Sequence, residues 1–486
     1  MNTSYSLTIN GQSVQGDLSQ QIINPATGGH IADAPCASPA QLDQAVDAAE
    51  KAFPQWSSTT LAERQQALLR IADVVETHRS ELAPLLTKEQ GKPLRRAHGE
   101  VKATAAFFRY FSSLHIPEEI VEDSTTRLAI LRHKPLGVVG AILTWNYPLL
   151  TLANKLPACL LAGNTVVLKP APSTPLATLK LCEWISEELP PGVLNAIADR
   201  GELGAVLASH SKIRKLSFTG STATGRKVME AASDSLKRLT LELGGNDAAI
   251  VLDDVDVPST AQAIFDSAFE NNGQVCLAIK RLYVHEQVHD ALCDTLQSLA
   301  EKAVVGNGLV DGVQFGPLQN KAQYDRVREL IADASSLGGV PSPPGTVPDT
   351  GYFIRPTIIR GVTHGIRVVD EEQFGPVLPV IKVSSAEEAL ALANDSPYGL
   401  GASVWTRDDS LGRQLASRLD AGTVWVNKHQ DIAPHIPFSG AKTSGIGVEF
   451  GLQGVLEFTQ MQVMNLPPVR RHSDPSMATN TKGASA

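Results

Sequence analysis

Apolar residues run along this chain in two different rhythms. Up to about residue 113 they recur every three or four positions, which predicts helices over Ala40–Phe53, Leu61–Lys88 and Val101–Ser113. Ser38-Pro39 opens the first as a hydroxyl cap followed by proline at the first helical position. Gly91-Lys92-Pro93 separates the last two. Residues before these helices read as short strands and turns, with Asn24-Pro25-Ala26-Thr27-Gly28 a clear turn. From Gly137 the rhythm changes. Gly137–Leu143 and Thr165–Leu168 are apolar, β-branched runs with little polar alternation, the pattern of strands buried on both faces. Helices over Leu149–Ala162 and Pro175–Glu188 separate and follow them, then a strand Val193–Ile197, a helix Leu203–Ser209 and a strand Lys215–Phe218. Strand, helix, strand, helix in this order predicts a doubly wound α/β unit, and hence a nucleotide candidate.

A second α/β run begins near Asp247. It contains a helix from Pro258 to about Glu270, Arg281–Val284, helices His289–Val304 and Lys321–Ser335, Val377–Val383 and Ala421–Val426. The Gly- and Pro-rich residues 338–350 form a surface loop. Two short stretches with interleaved polar residues, Arg127–His133 and Leu456–Asn465, read as exposed strands that could pair across subunits or complete a sheet of their own. After Pro467 the chain turns small and polar, and its last dozen residues are expected to be disordered.

At 486 residues the chain should hold two or three domains, and 43% apolar residues suffice to fill their cores. A net charge of −9 argues against nucleic acid and anionic membrane as partners. No window nears the ~18 uninterrupted apolar residues of a membrane helix. Five scattered cysteines without a CxxC suit a reducing cytoplasm and argue against a disulfide frame or a metal site.

Candidate chemistry collects where strands end. Asn272-Gly273 makes a tight turn just before Cys276, whose thiol can then face a cleft as a nucleophile; the alternative is a buried structural cysteine. Glu242 ends an apolar strand before Gly244-Gly245, a dry position that raises a carboxyl's pKa and suits a general base, or else it caps the next element. Asn146, in Trp145-Asn146-Tyr147-Pro148, could donate to an oxyanion or form an Asx-turn. Lys169-Pro170 puts a cation at the same edge, and Glu372-Gln373-Phe374-Gly375-Pro376 a carboxylate and an aromatic ring. Gly220-Ser221-Thr222 opens a helix after a strand, where a phosphate is favoured, although such residues usually serve as caps. The GxGxxG fingerprint is absent from the first α/β unit.

Taken together, Thr144-Trp145-Asn146-Tyr147-Pro148, Leu168-Lys169-Pro170, Phe218-Thr219-Gly220-Ser221-Thr222, Leu241-Glu242-Leu243-Gly244-Gly245, Gly273-Gln274-Val275-Cys276, Glu372-Gln373-Phe374-Gly375-Pro376 and Pro437-Phe438 with Ser444-Gly445 resemble the NAD(P)-dependent aldehyde dehydrogenase superfamily. These segments stand in that family's order, and the resemblance spans about residues 20 to 465. It implies an aldehyde dehydrogenase-like α/β fold: a cofactor-binding domain over 1–126 and 138–244, a catalytic domain over 245–440, oligomerisation strands at 127–137 and 455–466, and a flexible tail at 467–486. It implies Cys276 as nucleophile, Glu242 as the base that activates water, and Asn146 as oxyanion donor with the Cys276 N–H. Cofactor contacts would come from Thr144, Trp145, Lys169, Gly220, Ser221, Leu243, Glu372 and Phe374. Lys155 and Glu449 match proposed proton-relay residues. Tyr147, Thr151, Asn154, Val275, Leu277, Ile432 and Phe438 would line the substrate tunnel. A homodimer or homotetramer acting on a small aldehyde is implied, with NAD as cofactor.

Three positions depart from the pattern. Pro172 stands where NAD-preferring members often carry a ribose-binding Glu, which leaves NADP open. Ala223 replaces a frequent Glu, and Ser439 a frequent Gly. The tunnel set is mostly uncharged and favours a medium-sized neutral or aromatic aldehyde, although Lys428, His429 and His435 nearby could hold a carboxylate. Two other functions fit the same fold: acyl transfer to coenzyme A, against which Glu242 argues, and a catalytically silent cofactor-binding protein.

Overall fold

The computed structural model describes residues 4–468 and builds them around two open, largely parallel sheets. The first has eight strands in the spatial order Gln12–Val14, Leu7–Ile9, Leu194–Ala196, Thr165–Lys169, Val138–Ile142, Ile213–Thr219, Arg238–Glu242 and Gly445–Ile446. The five central strands pair in parallel and the outer ones antiparallel. Val138–Ile142 and Thr165–Lys169 are buried at every position, as their unbroken apolar runs require. From Val138–Ile142 the chain builds outward in one direction, then returns to its other side with Ile213–Thr219. Such a reversal opens a crevice at the carboxyl ends of the two strands.

The second sheet orders Val340–Pro341, Thr357–Arg360, Val377–Val383, Ile279–His285, Asp247–Val251, Gly401–Trp405 and Thr423–Val426. Separate apolar clusters cover its two faces. The core of the first sheet continues to Val275, Leu277 and Phe438, so the loop carrying Cys276 rests on that sheet although it leaves the second.

Several elements differ from the sequence reading. The helix expected over Leu61–Lys88 is two, Leu61–Thr77 and Arg79–Gln90. His78 breaks it at φ −95° and ψ 13°, and its ring stacks on Trp184 at 3.7 Å. The next helix begins at Leu94, directly after Pro93. Of the two alternatives for the exposed strands, the chain shows the second, a sheet of their own: Leu128–Pro135 runs antiparallel to Thr459–Leu466, with Glu119–Asp123 on its far side. Residues Gly451–Leu456 close as a helix, so the second of these strands starts later than expected. Of the expected tail at 467–486, only the first two residues fall among those described. No helix of the described residues is long and apolar enough to cross a membrane.

Candidate active site

The loop before Cys276 is set by its backbone. The helix Val257–Phe269 ends, and Asn271, Asn272 and Gly273 follow in left-handed conformations at φ 48°, 57° and 74°. Asparagine tolerates this region best among residues with a Cβ, because its amide bonds to nearby backbone. The Asn271 amide donates to the carbonyl of Asn146 at 3.1 Å, and that of Asn272 to Gly316 at 2.9 Å. Glycine is required next: a Cβ there would lie 2.1 Å from the Gly375 carbonyl oxygen. Gln274 closes the turn by donating to the Asn271 carbonyl at 3.0 Å and accepting from the Gln319 N–H at 2.9 Å. Cys276 emerges partly exposed between buried Val275 and Leu277, whereas the other four cysteines are buried. Burial pushes its thiol up to about 12; the Lys280 ammonium opposes this, and Asp247, Glu372 and Glu242 reinforce it. The resting Cys276 side chain is therefore a neutral thiol, which would need a base in order to act as a nucleophile.

Glu242 is a carboxyl group in an unusual setting. It ends the strand Arg238–Glu242, is buried, and neither carboxylate oxygen has a hydrogen-bond partner among the described residues. Burial, then the neighbouring charge of Glu449, hold its carboxyl well above the usual range, with Lys155 opposing them. Lys155 and Glu449 are themselves an ion pair at 2.5 Å, both buried, and Lys155 also donates to Ser217 Oγ at 3.1 Å. Asn146 joins from the first sheet. Its amide donates to the Gln274 carbonyl at 2.9 Å, so the side chain lies against the nucleophile loop, with its second N–H still to give. Its own carbonyl is held by Lys92 at 2.9 Å, and Lys92 pairs with Glu100 at 2.5 Å. The Glu100 carboxylate accepts from Leu149 and Leu150 at 3.0 and 3.1 Å, capping the helix Pro148–Leu161.

One cavity of about 1230 Å³ connects these groups to the crevice of the first sheet. Every catalytic, cofactor, relay and tunnel residue named from the sequence lines it except Lys155, which pairs with Glu449; of the three residues named for a carboxylate, His429 lines it and Lys428 and His435 do not. At the crevice end, Gly220 leads into the helix Thr222–Ala232, and Ser221 caps that helix by accepting from Thr224 N–H at 3.2 Å. A Cβ on Gly220 would lie 2.5 Å from the Phe218 ring, so the backbone stays bare where a pyrophosphate would meet the free helix amides. Glu372 accepts from the Gly245 N–H at 3.0 Å, and a Cβ on Gly244 would fall 2.4 Å from its Oε2. Phe374 meets Trp145 edge-on at 5.3 Å. An open crevice with bare backbone, a helix start, a carboxylate and an aromatic floor fits a dinucleotide.

Four features were not read from the sequence. Lys169 is not free: its Nζ lies 2.5 Å from Asp199 Oδ1, both groups are buried, and Asp199 Oδ2 accepts from the Leu203 N–H at 2.7 Å. The tunnel wall is more polar than its uncharged list suggested. The Tyr147 hydroxyl donates to Glu270 at 3.3 Å, Glu270 pairs with Arg96 at 2.8 Å, and Arg95, Arg96, Asp266 and Glu270 all line the cavity. Lys92 with Glu100, and Lys280, complete the set. Conversely, Lys428 pairs with Asp431, and His429 lies against the Leu277 carbonyl at 3.0 Å and Asp247 at 3.4 Å, so neither is a free carboxylate receptor. Lys–Glu and Lys–Asp pairs distant in sequence leave no local pattern to read.

Comparison with known proteins agrees over nearly the whole chain. A sequence model described as the Aldehyde dehydrogenase family matches residues 13–464. Aldehyde dehydrogenase LUC3 from a Fusarium species is 39% identical over 467 residues, covering 96% of this chain and 99% of that protein. The NAD+ complex of an aldehyde dehydrogenase from Bacillus cereus superposes with a TM-score of 0.94 at 36% identity, over 96% of this chain and 97% of that one. An NADP-dependent enzyme from E. coli superposes with a TM-score of 0.93 at 34% identity, over 95% and 98%.

Proposed function

The chain belongs to the aldehyde dehydrogenase family and oxidises an aldehyde to its carboxylic acid with a nicotinamide dinucleotide; from that premise we propose how its own residues divide the work. Glu242 takes the proton of the Cys276 thiol, and Sγ adds to the aldehyde carbon. The oxyanion that forms is held by the Asn146 amide and the Cys276 N–H. When bound, the oxidised nicotinamide supplies the hydride acceptor. Loss of hydride leaves a thioester on Sγ. Glu242, its proton passed to the Glu449 carboxylate that Lys155 holds, then draws a proton from water as the water adds to the thioester, and the acid leaves as the Cys276 thiolate is expelled and takes that proton back. Glu372 and Phe374 hold the nicotinamide ribose and ring, helped by Thr144, Trp145 and Leu243. Gly220 and Ser221 face the pyrophosphate and Lys169 the adenosine ribose. The single observation that supports this reading is the convergence of Cys276, Glu242 and Asn146, distant in sequence, on one cavity.

NAD is the preferred cofactor in this reading. A 2′-phosphate would need a free cation beside the adenosine ribose, and Lys169 is already neutralised by Asp199. Like charges brought together cost several kcal/mol. Asp199→Asn is therefore expected to raise kcat/KM for NADP relative to NAD about tenfold or more, read from initial rates with both cofactors. A ratio that does not move places selectivity elsewhere.

The polar collar of Tyr147, Glu270 and Arg96 disfavours a long alkyl chain, which would strand their charges without water. Compact aromatic or polar-tailed aldehydes are the substrates this collar accepts. A panel of alkyl, aromatic and hydroxylated aldehydes, run with NAD and NADP in parallel, is expected to give reduced cofactor with NAD, fastest with aromatic or polar-tailed members. A preference for long alkyl aldehydes would overturn the collar reading. The three-stranded sheet leaves Ile120, Val121, Met461 and Val463 exposed, which supports assembly as a homodimer or homotetramer. Five free cysteines support a cytoplasmic setting.

A further inference from the structure

Just past the nucleophile the chain re-enters the second sheet at the strand Ile279–His285, and the second residue of that strand is a lysine. Lys280 is 2% exposed. Its Nζ donates to the carbonyl of Val275 at 2.5 Å and to that of Cys276 at 3.0 Å. Among the described residues it makes no salt bridge. Taking an ammonium out of water costs several kcal/mol unless good partners replace the water, and here the partners are the Val275 and Cys276 carbonyls, one on each side of the Cys276 Cα, with the Ala278 carbonyl at 3.5 Å. The same ammonium stands 5.8 Å from the centre of the Phe374 ring, and the Lys280 carbonyl accepts from the Gln373 amide at 3.3 Å. One cation thus sits between the nucleophile loop and the segment that carries Glu372 and Phe374.

We propose that Lys280 is a positioning residue for this reaction: its ammonium gathers the Val275 and Cys276 carbonyls, fixes the loop that aims Sγ, and sets a positive charge beside the thiolate that forms there. The proposal rests on the reading of Cys276 as nucleophile. A neutral donor would satisfy these carbonyls at far smaller desolvation cost, so the charge itself needs a reason. The charged groups that bear on the thiol supply one. Asp247, Glu372 and Glu242 all disfavour a thiolate, burial disfavours it further, and Lys280 is the cation that works against them. Lys280 likewise opposes the burial that raises the Glu372 carboxyl. Its charge therefore favours the ionised forms of both the nucleophile and the carboxylate assigned to the ribose.

The test is alkylation by iodoacetamide as a function of pH, which reports the thiolate without requiring turnover. The four other cysteines are buried, and Cys276→Ala supplies the blank. Lys280→Met removes charge and donor, Lys280→Gln keeps a donor without charge, and Lys280→Arg keeps both. In Lys280→Met and Lys280→Gln, alkylation at fixed pH is expected to be about tenfold slower, an upward shift of about one pH unit. Their kcat/KM should fall about tenfold or more at neutral pH and recover as pH rises, with the NAD Kd within about twofold of the parent. Lys280→Arg should alkylate at nearly the parent rate. Should Lys280→Met fail to fold, the glutamine variant is read in its place. A folded, NAD-binding Lys280→Gln with the parent alkylation profile overturns the proposal, even if turnover falls, since the residue would then be structural only. Activity surviving in Cys276→Ala would instead overturn the assignment of the nucleophile, so the two failures are distinguishable.

Discussion

Cys276→Ala is expected to lower kcat for aldehyde oxidation by at least about 10⁴-fold, the scale on which a sole nucleophile matters. No second thiol can substitute, because Cys36, Cys159, Cys182 and Cys293 are buried away from the cavity. NAD binding should persist, since the helix start at Ser221 and the carboxylate of Glu372 are untouched. The side chain of Cys276 is partly exposed and does not cap the left-handed turn before it, so the thermal midpoint should stay near the parent value. Reduced cofactor is followed at 340 nm and binding by fluorescence titration. Turnover close to the parent rate would remove Cys276 from the mechanism.

Glu242→Gln should cost about 10² to 10⁴ in steady-state rate, the usual span for a general base. Acid-quenched enzyme should carry the substrate as a thioester, visible by mass, because a neutral amide cannot draw a proton from the attacking water. The parent rate should decline on acidification while the pH is still above the ordinary carboxylate range, since the base must be ionised and its carboxyl is held high by burial and by Glu449. That limb should vanish in the variant. Stability moves the other way. A carboxyl whose folded pKa is raised disfavours the fold at every pH above its unfolded pKa, so at neutral pH the glutamine variant should melt no lower than the parent. A variant with parent turnover and no trapped thioester would end the role assigned to Glu242.

Much of the scaffold could be read because its central strands are uniform. Val138–Ile142, Thr165–Lys169 and, but for the exposed Lys382, Val377–Val383 are apolar, rich in valine and buried, so their unbroken apolar pattern alone marks them. Gly401–Trp405, the last strand but one of the second sheet, is equally buried yet escaped notice. Its sequence, Gly-Ala-Ser-Val-Trp, is small because neighbours crowd it: a Cβ on Gly401 would lie 2.3 Å from Asp247 Oδ2 and 2.9 Å from the Trp425 ring. Low strand propensity there reflects tertiary packing, which no local window contains. The break at His78 likewise carries no Gly or Pro; a stack on Trp184, more than a hundred positions away, holds it. At the site, groups at strand ends were legible, since turn chemistry and strand pattern meet there. Asp199 behind Lys169, and Glu270 between Tyr147 and Arg96, were not. Each acquires meaning only from a partner that folding brings to it.

The eighth strand of the first sheet has a consequence for biosynthesis. Gly445–Ile446 pairs with Leu241–Glu242, Ser444 accepts from the Leu243 N–H at 2.9 Å, and Glu449 reaches Lys155 from the same late segment. A nascent chain leaves the ribosome N-terminus first, so the strand bearing Glu242 waits about two hundred residues with one edge bare. Only near the end of translation does that edge receive its cover, and the ion pair beside Glu242 closes with it. A polypeptide halted near residue 440 would hold its thiol and most of its dinucleotide crevice while leaving an open, adhesive margin.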